Sequence, residues 1–165
     1  MRLFTVVATI PVVALLTQPL WAPAWGAGIL GEVVGLGPLG AIAGIIVFFG
    51  LVALYCNQLY SLARTLPTFA READPRSVWL MFAIPFNFVE DFFIVRAIGA
   101  ALDRAGIARA KPWLIIGFAW CGFQIASLFP GIVGVVSGVL ALVVWAVHWV
   151  LTVSVLREVT SREIQ

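Results

Sequence analysis

Long apolar segments separated by short polar connections dominate the hydropathy pattern of this chain. A bilayer core about 30 Å thick is crossed by about 20 apolar residues in an α-helix. Four uncharged segments come close to that length or exceed it, and they predict transmembrane helices over residues of about 3–21, 38–60, 113–129 and 132–156. Only Pro130-Gly131 separates the last two, which predicts a tight turn.

A fifth apolar segment, residues 77–102, differs because polar groups lie at its centre. Asn87, Glu90 and Asp91 follow Pro85 there, and each charge at the centre of a lipid-facing helix costs about 2.5 to 3.5 kcal/mol. Irregular backbone at membrane depth is stable only where protein or a water-filled cavity covers it. The pattern therefore predicts a re-entrant or interfacial helical segment with a bend near Pro85, and it leaves a full crossing open.

The basic residues favour that topology, because cytoplasmic connections of membrane proteins carry an excess of Lys and Arg. With four spans and cytoplasmic termini, all ten Lys and Arg residues fall on the cytoplasmic side. A full crossing by residues 77–102 would separate the four basic residues before this segment from the six within or after it. We therefore predict a multi-pass protein of a bacterial inner membrane, with both termini in the cytoplasm. The first apolar run is long for a signal peptide, which favours a retained span, and its cleavage stays open.

The amino-acid composition also favours an integral membrane protein. Hydrophobic residues make up 62% of the sequence and charged residues 11%, whereas soluble domains have about half and about a quarter. We expect one all-α domain over residues 1–165, an integral membrane helical bundle. The chain has no dense basic patch, so we expect no nucleic-acid partner.

The polar cluster in residues 77–102 has two interpretations. Asn87, Glu90 and Asp91 share an arc of about 100° on a helix, where they could form an ion or proton site that lines a polar cavity. Alternatively, the segment lies flat at the cytoplasmic interface, with its acids in water and its phenylalanines in lipid. Three arginines are candidates for neutralising the acids: Arg64, Arg71 and Arg104.

Small residues recur at a spacing that brings membrane helices into close contact. Gly40 and Gly44 form one GxxxG motif, and Gly134 and Gly138 form another. Without side chains at these positions, helix backbones can approach closely. We predict helix-packing faces there, either within the bundle or between copies of the chain.

The remaining chemistry is sparse. Cys56 and Cys121 are too few for a thiolate metal cage, and His148 is the only histidine, so we expect no metal and no cofactor. No nucleophile, metalloprotease or phosphate-loop motif occurs, which favours a non-enzymatic role. Trp113 and Trp149, near span ends, predict anchors at the headgroup level.

The segment from Leu62 to Val95 resembles a pattern in a family of small bacterial multispan membrane proteins of unknown function. In that pattern a basic connection leads to a tryptophan, here within RSVW at residues 76–79, and then to an apolar run with proline and asparagine, here IPFNF at residues 84–88. The resemblance implies a membrane protein and transfers no catalytic residue.

Two functional hypotheses follow. The first is a non-enzymatic accessory or structural subunit of a membrane complex, because the spans are uncharged and little chain lies outside them. The alternative is a homo-oligomeric transporter or channel that uses Asn87, Glu90 and Asp91. Expected partners are membrane lipid and either a larger membrane protein or further copies of this chain.

Overall fold

Every regular element is helical in the part of the chain that the computed structural model describes, residues 3–26 and 28–163. The all-α class is therefore confirmed. Seven α-helices occur in these ranges: α1 Leu3–Leu16, α2 Gln18–Trp21, α3 Gly28–Gly35, α4 Gly37–Thr65, α5 Asn87–Arg104, α6 Ala110–Ala126 and α7 Ile132–Glu163. Three 3₁₀ helices accompany them: Pro23–Trp25, Thr68–Ala70 and Pro75–Phe82. The expected cytoplasmic position of Arg2 lies outside the described residues.

Among the described helices, α4 and α7 are long and apolar enough to cross a membrane. Only 11% of the most apolar window of α4 and 28% of that of α7 is buried. A core helix of a soluble protein would bury most of such a window, so these exposed apolar surfaces suit lipid. The helix α1 is apolar but shorter.

The N-terminal apolar segment is not one continuous helix. The structure divides residues 3–21 into α1 and α2 at Thr17, whose hydroxyl donates to the Val13 carbonyl at 2.8 Å. Pro19 has no N–H with which to continue the helical ladder. The connection that follows contains the short helix α3.

Residues 77–102 are bent where the sequence indicated. The 3₁₀ helix Pro75–Phe82 runs into a turn that contains the cis peptide Ile84-Pro85, and α5 begins at Asn87. The guanidinium of Arg104, at the end of α5, donates to the Ala70 carbonyl at 3.1 Å. Because residues before the 3₁₀ helix contact the end of α5, this part of the chain forms a hairpin that returns to its starting point.

The helices pack around α6 and α7. Helix α6 lies along α7 and against α5, α4 packs on α7 and on the 3₁₀ helix Pro75–Phe82, and α1 packs on α5. Only the second half of α4 is buried, from Tyr55 onward. The first half of α4 and the facing part of α7 therefore leave a groove.

Charged side chains gather at one end of the bundle, which we call the basic end. Glu72 pairs with Arg96 at 3.2 Å and also with Arg104. Arg109 contacts Ser154 on α7, and Arg162 donates to the Gly106 carbonyl at 3.3 Å. The connections on either side of α5 and the end of α7 thus lie together.

Candidate functional site

A cavity of about 550 Å³ lies between the 3₁₀ helix Pro75–Phe82 and helices α1, α4, α5, α6 and α7. This volume is within the range of about 300 to 1,000 Å³ typical of small-molecule sites. Most of the lining is apolar. The polar side chains in the lining are Tyr55, Asn87, Asp91, Gln124 and Ser127.

The start of α5 positions two of the predicted site residues in this cavity. Asn87 and Asp91 are one helical turn apart, so both face the same neighbours. They are 8% and 2% exposed respectively. The Gln124 side chain, on α6, lies within hydrogen-bonding reach of the Asp91 carboxyl group.

Side chains with unpartnered polar atoms are concentrated around the cavity. Among the described residues, five buried side-chain N or O atoms have no hydrogen-bond partner in the chain, and four of the five belong to cavity-lining residues. These four are Asn87 Oδ1, Asp91 Oδ1, Gln124 Oε1 and Trp145 Nε1. Buried polar groups are almost always hydrogen-bonded in folded proteins. Their convergence on one cavity is the pattern expected where a ligand supplies the missing partners.

Glu90 belongs to a different contact. Its carboxylate accepts a hydrogen bond of 2.8 Å from the Thr5 hydroxyl on α1, and both residues are buried. The predicted cluster is therefore split, with Asn87 and Asp91 facing the cavity and Glu90 facing α1. Both acids lie inside the bundle, and this burial argues against the interfacial interpretation, which required them to meet water.

None of the three arginines considered for neutralising the acids does so in the described structure. Arg71 donates to the carbonyls of Leu66 and Arg64. Arg104 pairs with Glu72, and no ion pair of Arg64 with either acid occurs among the described residues. The Asp91 carboxyl group is therefore buried without a basic partner from the described chain.

A hydrogen-bonded network connects the cavity to the core. Tyr55, whose ring lines the cavity, has its hydroxyl 2.5 Å from His148 Nδ1. His148 Nε2 is 3.1 Å from the Trp113 carbonyl. Since a carbonyl can only accept, Nε2 carries the proton, and a neutral imidazole then accepts the Tyr55 hydroxyl at Nδ1. The indole N–H of Trp113 donates to the Thr152 hydroxyl at 2.9 Å.

This network places Trp113 differently from the sequence-based expectation of an interfacial anchor. Trp113 is fully buried, and its ring lies 4.4 Å from that of His148 between ring centroids. Gly117 makes room for this packing. A Cβ atom at Gly117 would lie 2.8 Å from His148 Nε2 and 2.6 Å from a methyl group of Val95.

The four GxxxG glycines have different surroundings. A Cβ atom at Gly134 would lie 1.8 Å from the Phe129 carbonyl oxygen, so this glycine permits the α6–α7 turn to close. Gly138 lines the cavity near Ser127. At Gly40 and Gly44 the described atoms within 4 Å of an added Cβ atom belong to Leu36, just before α4. A packing role for them between chains stays a prediction.

Tyr55 and Trp145 were not predicted as site residues. A polar atom on an aromatic ring within an apolar span is the sequence signal that could have identified them. The described residues contain no group of three His, Cys, Asp or Glu side chains able to hold a metal ion. Chemically, the arrangement can hold a polar head group at Asp91 and an apolar body beside it.

No protein-family model, no curated protein and no solved structure matches this chain. The resemblance of residues 62–95 to small bacterial multispan proteins therefore stays a prediction.

Proposed function

We propose that this chain is a multi-pass membrane protein that binds a small solute in the cavity between its helices, as a transporter or channel does. The observation that carries this proposal is that four residues lining one largely apolar cavity each have a buried polar atom without a hydrogen-bond partner in the described chain. Apolar walls with a few convergent polar groups are typical of small-molecule sites. Ionisable residues inside a membrane protein commonly mark solute or ion pathways.

The proposed topology has four spans, with α1 and α2 together as the first and α4, α6 and α7 as the others. It also has a re-entrant segment from Pro75 to Arg104 and both termini in the cytoplasm of an inner-membrane protein. Support comes from the basic end, where connections and helix termini that carry Arg residues contact one another. Positive charge collected at one end of a bundle suits the cytoplasmic face.

Reporter fusions test this topology. Thr68 and Gly106 flank the hairpin, and its two ends are in contact. A reporter active only in the cytoplasm is therefore expected to be active when fused after either residue. Activity at one position and inactivity at the other would mean that the segment crosses completely, and the re-entrant topology would be rejected.

A cavity-filling substitution tests the solute site. Gly138→Leu would project its side chain from a position that lines the cavity, whereas Gly122→Leu makes the same change on α6 where a Cβ atom meets nothing within 4 Å. We expect compounds that raise the melting temperature of the wild-type protein in nanodiscs to do so for Gly122→Leu and to lose at least half of the shift in Gly138→Leu. Ligand binding to the native state stabilises it by mass action, by about 2.7 kcal/mol at 100 times Kd.

Uptake of the same compounds into proteoliposomes gives the second measurement. Transport by the wild type and by Gly122→Leu, but not by Gly138→Leu, is the expected result. Shifts and uptake that are equal in all three proteins would place binding elsewhere and contradict the proposal.

The second candidate function is that of a non-enzymatic accessory subunit. The first half of α4 favours it, because none of its residues is buried and Gly40 and Gly44 lie in this half. Faces with small residues pack closely against helices of partners. A larger protein that copurifies in stoichiometric amount, together with no ligand response, would support this role. A protein that transports solute without a partner would exclude it.

A further inference from the structure

The unpartnered atoms on the cavity-lining side chains are mostly hydrogen-bond acceptors, which favours one kind of ligand. Three of the four are oxygens that accept hydrogen bonds, on Asn87, Asp91 and Gln124. When ionised, the Asp91 carboxyl group can only accept. A ligand that satisfies these three oxygens must therefore be rich in donors.

The lack of a basic partner for Asp91 also favours a ligand rich in donors. Glu72 occupies both Arg96 and Arg104 at the basic end, and none of the described ion pairs involves Asp91. A carboxylate removed from water is unfavourable by several kcal/mol unless a cation or strong donors compensate it. A cationic ligand in the cavity would supply that compensation.

The rest of the lining suits an apolar body. Phe88, Trp120 and Trp145 bring aromatic rings to the cavity, and a cation is also attracted to the faces of such rings. The volume of about 550 Å³ is many times the volume of about 30 Å³ that a water molecule occupies in the liquid. A single inorganic cation would leave most of the apolar lining without contact.

The position of the exposed lining residues indicates the route of entry. Phe48 on α4 and Val139 and Leu142 on α7 line the cavity and are about half exposed, at 47%, 57% and 57%. They belong to the two helices whose exposed apolar surfaces suit lipid. A compound that partitions into the bilayer would therefore reach the cavity through the groove between α4 and α7.

We propose that the cavity binds a primary organic amine with an apolar body as its ammonium ion, with Asp91 as the counter-ion and Asn87 and Gln124 as hydrogen-bond acceptors. The three N–H donors of a primary ammonium match the three acceptor oxygens in number. This inference rests on the proposed solute-binding function and adds the class of solute. Glu90 takes no part, because its carboxylate is bonded to Thr5.

The adjacent acids provide a matched pair of variants. Asp91→Asn keeps the size of the side chain and removes the charge in the cavity, whereas Glu90→Gln makes the equivalent change next to it, away from the cavity. Isothermal titration of the protein in phosphatidylcholine nanodiscs would compare naphthylethylamine with naphthylethanol, its neutral analogue. We expect the wild type and Glu90→Gln to bind the amine at least about tenfold more tightly than the alcohol, a difference in keeping with charge-assisted hydrogen bonds. Asp91→Asn is expected to lose this preference.

Several results would overturn the amine assignment. Equal affinity of the wild type for the amine and the alcohol would contradict it directly. An equal loss of the preference for the amine in Asp91→Asn and Glu90→Gln would also contradict it. If Gly138→Leu still blocked the alcohol, the solute cavity would stand and only the amine assignment would fall. Binding that neither Gly138→Leu nor Asp91→Asn affects would reject both proposals.

A phospholipid headgroup is a second source of the same ammonium chemistry. Repeating the titration in nanodiscs that contain phosphatidylethanolamine distinguishes the sources. Affinity that is unchanged by this lipid supports a free amine as the ligand. Weakening of at least about tenfold in the wild type but not in Asp91→Asn would overturn the free amine and assign the site to the headgroup.

Discussion

Replacement of Gly134 by alanine is expected to destabilise the protein by more than about 3 kcal/mol, beyond the usual range for an overpacked position. The added Cβ atom would lie 1.8 Å from the Phe129 carbonyl oxygen and 3.1 Å from the Ser127 carbonyl oxygen. Both neighbours are backbone atoms of the turn between α6 and α7, so a change of rotamer cannot relieve the contact. The turn would have to open, and helices α6 and α7 would separate at one end.

The other glycine of the same motif is the control. At Gly138 a Cβ atom would lie 3.6 Å from Ser127 Cβ, an ordinary contact. Since alanine is favoured over glycine in a helix interior by about 1 kcal/mol, Gly138→Ala should be neutral or slightly stabilising. Thermal unfolding in detergent, followed by near-ultraviolet circular dichroism, measures both variants. Equal melting temperatures for the two would contradict the distinction.

The second large effect is expected at His148. His148→Leu removes the acceptor of the Tyr55 hydroxyl and the donor to the Trp113 carbonyl. An unpaired donor left in the interior costs about 1 to 3 kcal/mol, and the ring contacts with Trp113 and Trp120 are lost as well. We expect a loss of about 3 kcal/mol in the free energy of unfolding, measured by denaturant titration in mixed micelles.

A double-mutant cycle separates the hydrogen bond from the packing. Tyr55→Phe removes the hydroxyl that His148→Leu leaves unpaired, so the double variant should be more stable than the sum of the single losses by about 1 to 2 kcal/mol. Strict additivity would mean that the network makes no energetic contribution. The sign of this coupling free energy is diagnostic, because a role of His148 in packing alone predicts that Tyr55→Phe restores no stability to His148→Leu.

The hydropathy pattern predicted α4 and α7 well but not where they end. The spans at 38–60 and 132–156 correspond to helices Gly37–Thr65 and Ile132–Glu163. Hydropathy predicts where the apolar segment ends. The helix itself can continue beyond that point, through polar residues that are compatible with helical backbone. Polar residues such as Ser61 and Arg64 are compatible with a helix, and Pro67 follows only after α4 has ended.

The site could be predicted only in part, for a geometric reason. Helical spacing placed Asn87, Glu90 and Asp91 on one arc of about 100°. That arc is wide enough to face two neighbouring helices. Which helices pack against it depends on tertiary contacts. Thr5 lies more than eighty residues before Glu90, and no local pattern pairs the two. Tyr55 and Gln124 reach the cavity from α4 and α6 for the same non-local reason.

The lengths of α4 and α7 have a consequence for the cavity that lies between them. At 1.5 Å per residue, the 29 residues of α4 and the 32 residues of α7 extend about 44 and 48 Å, against a hydrocarbon thickness of about 30 Å. Helices longer than the bilayer tilt or project from it, and the tilt depends on the thickness of the surrounding lipid. The cavity opens between these two helices, so a thinner bilayer, by inclining them further, would alter the width of the groove. If the chain spans a bilayer as proposed, acyl-chain length is therefore expected to influence access to Asp91.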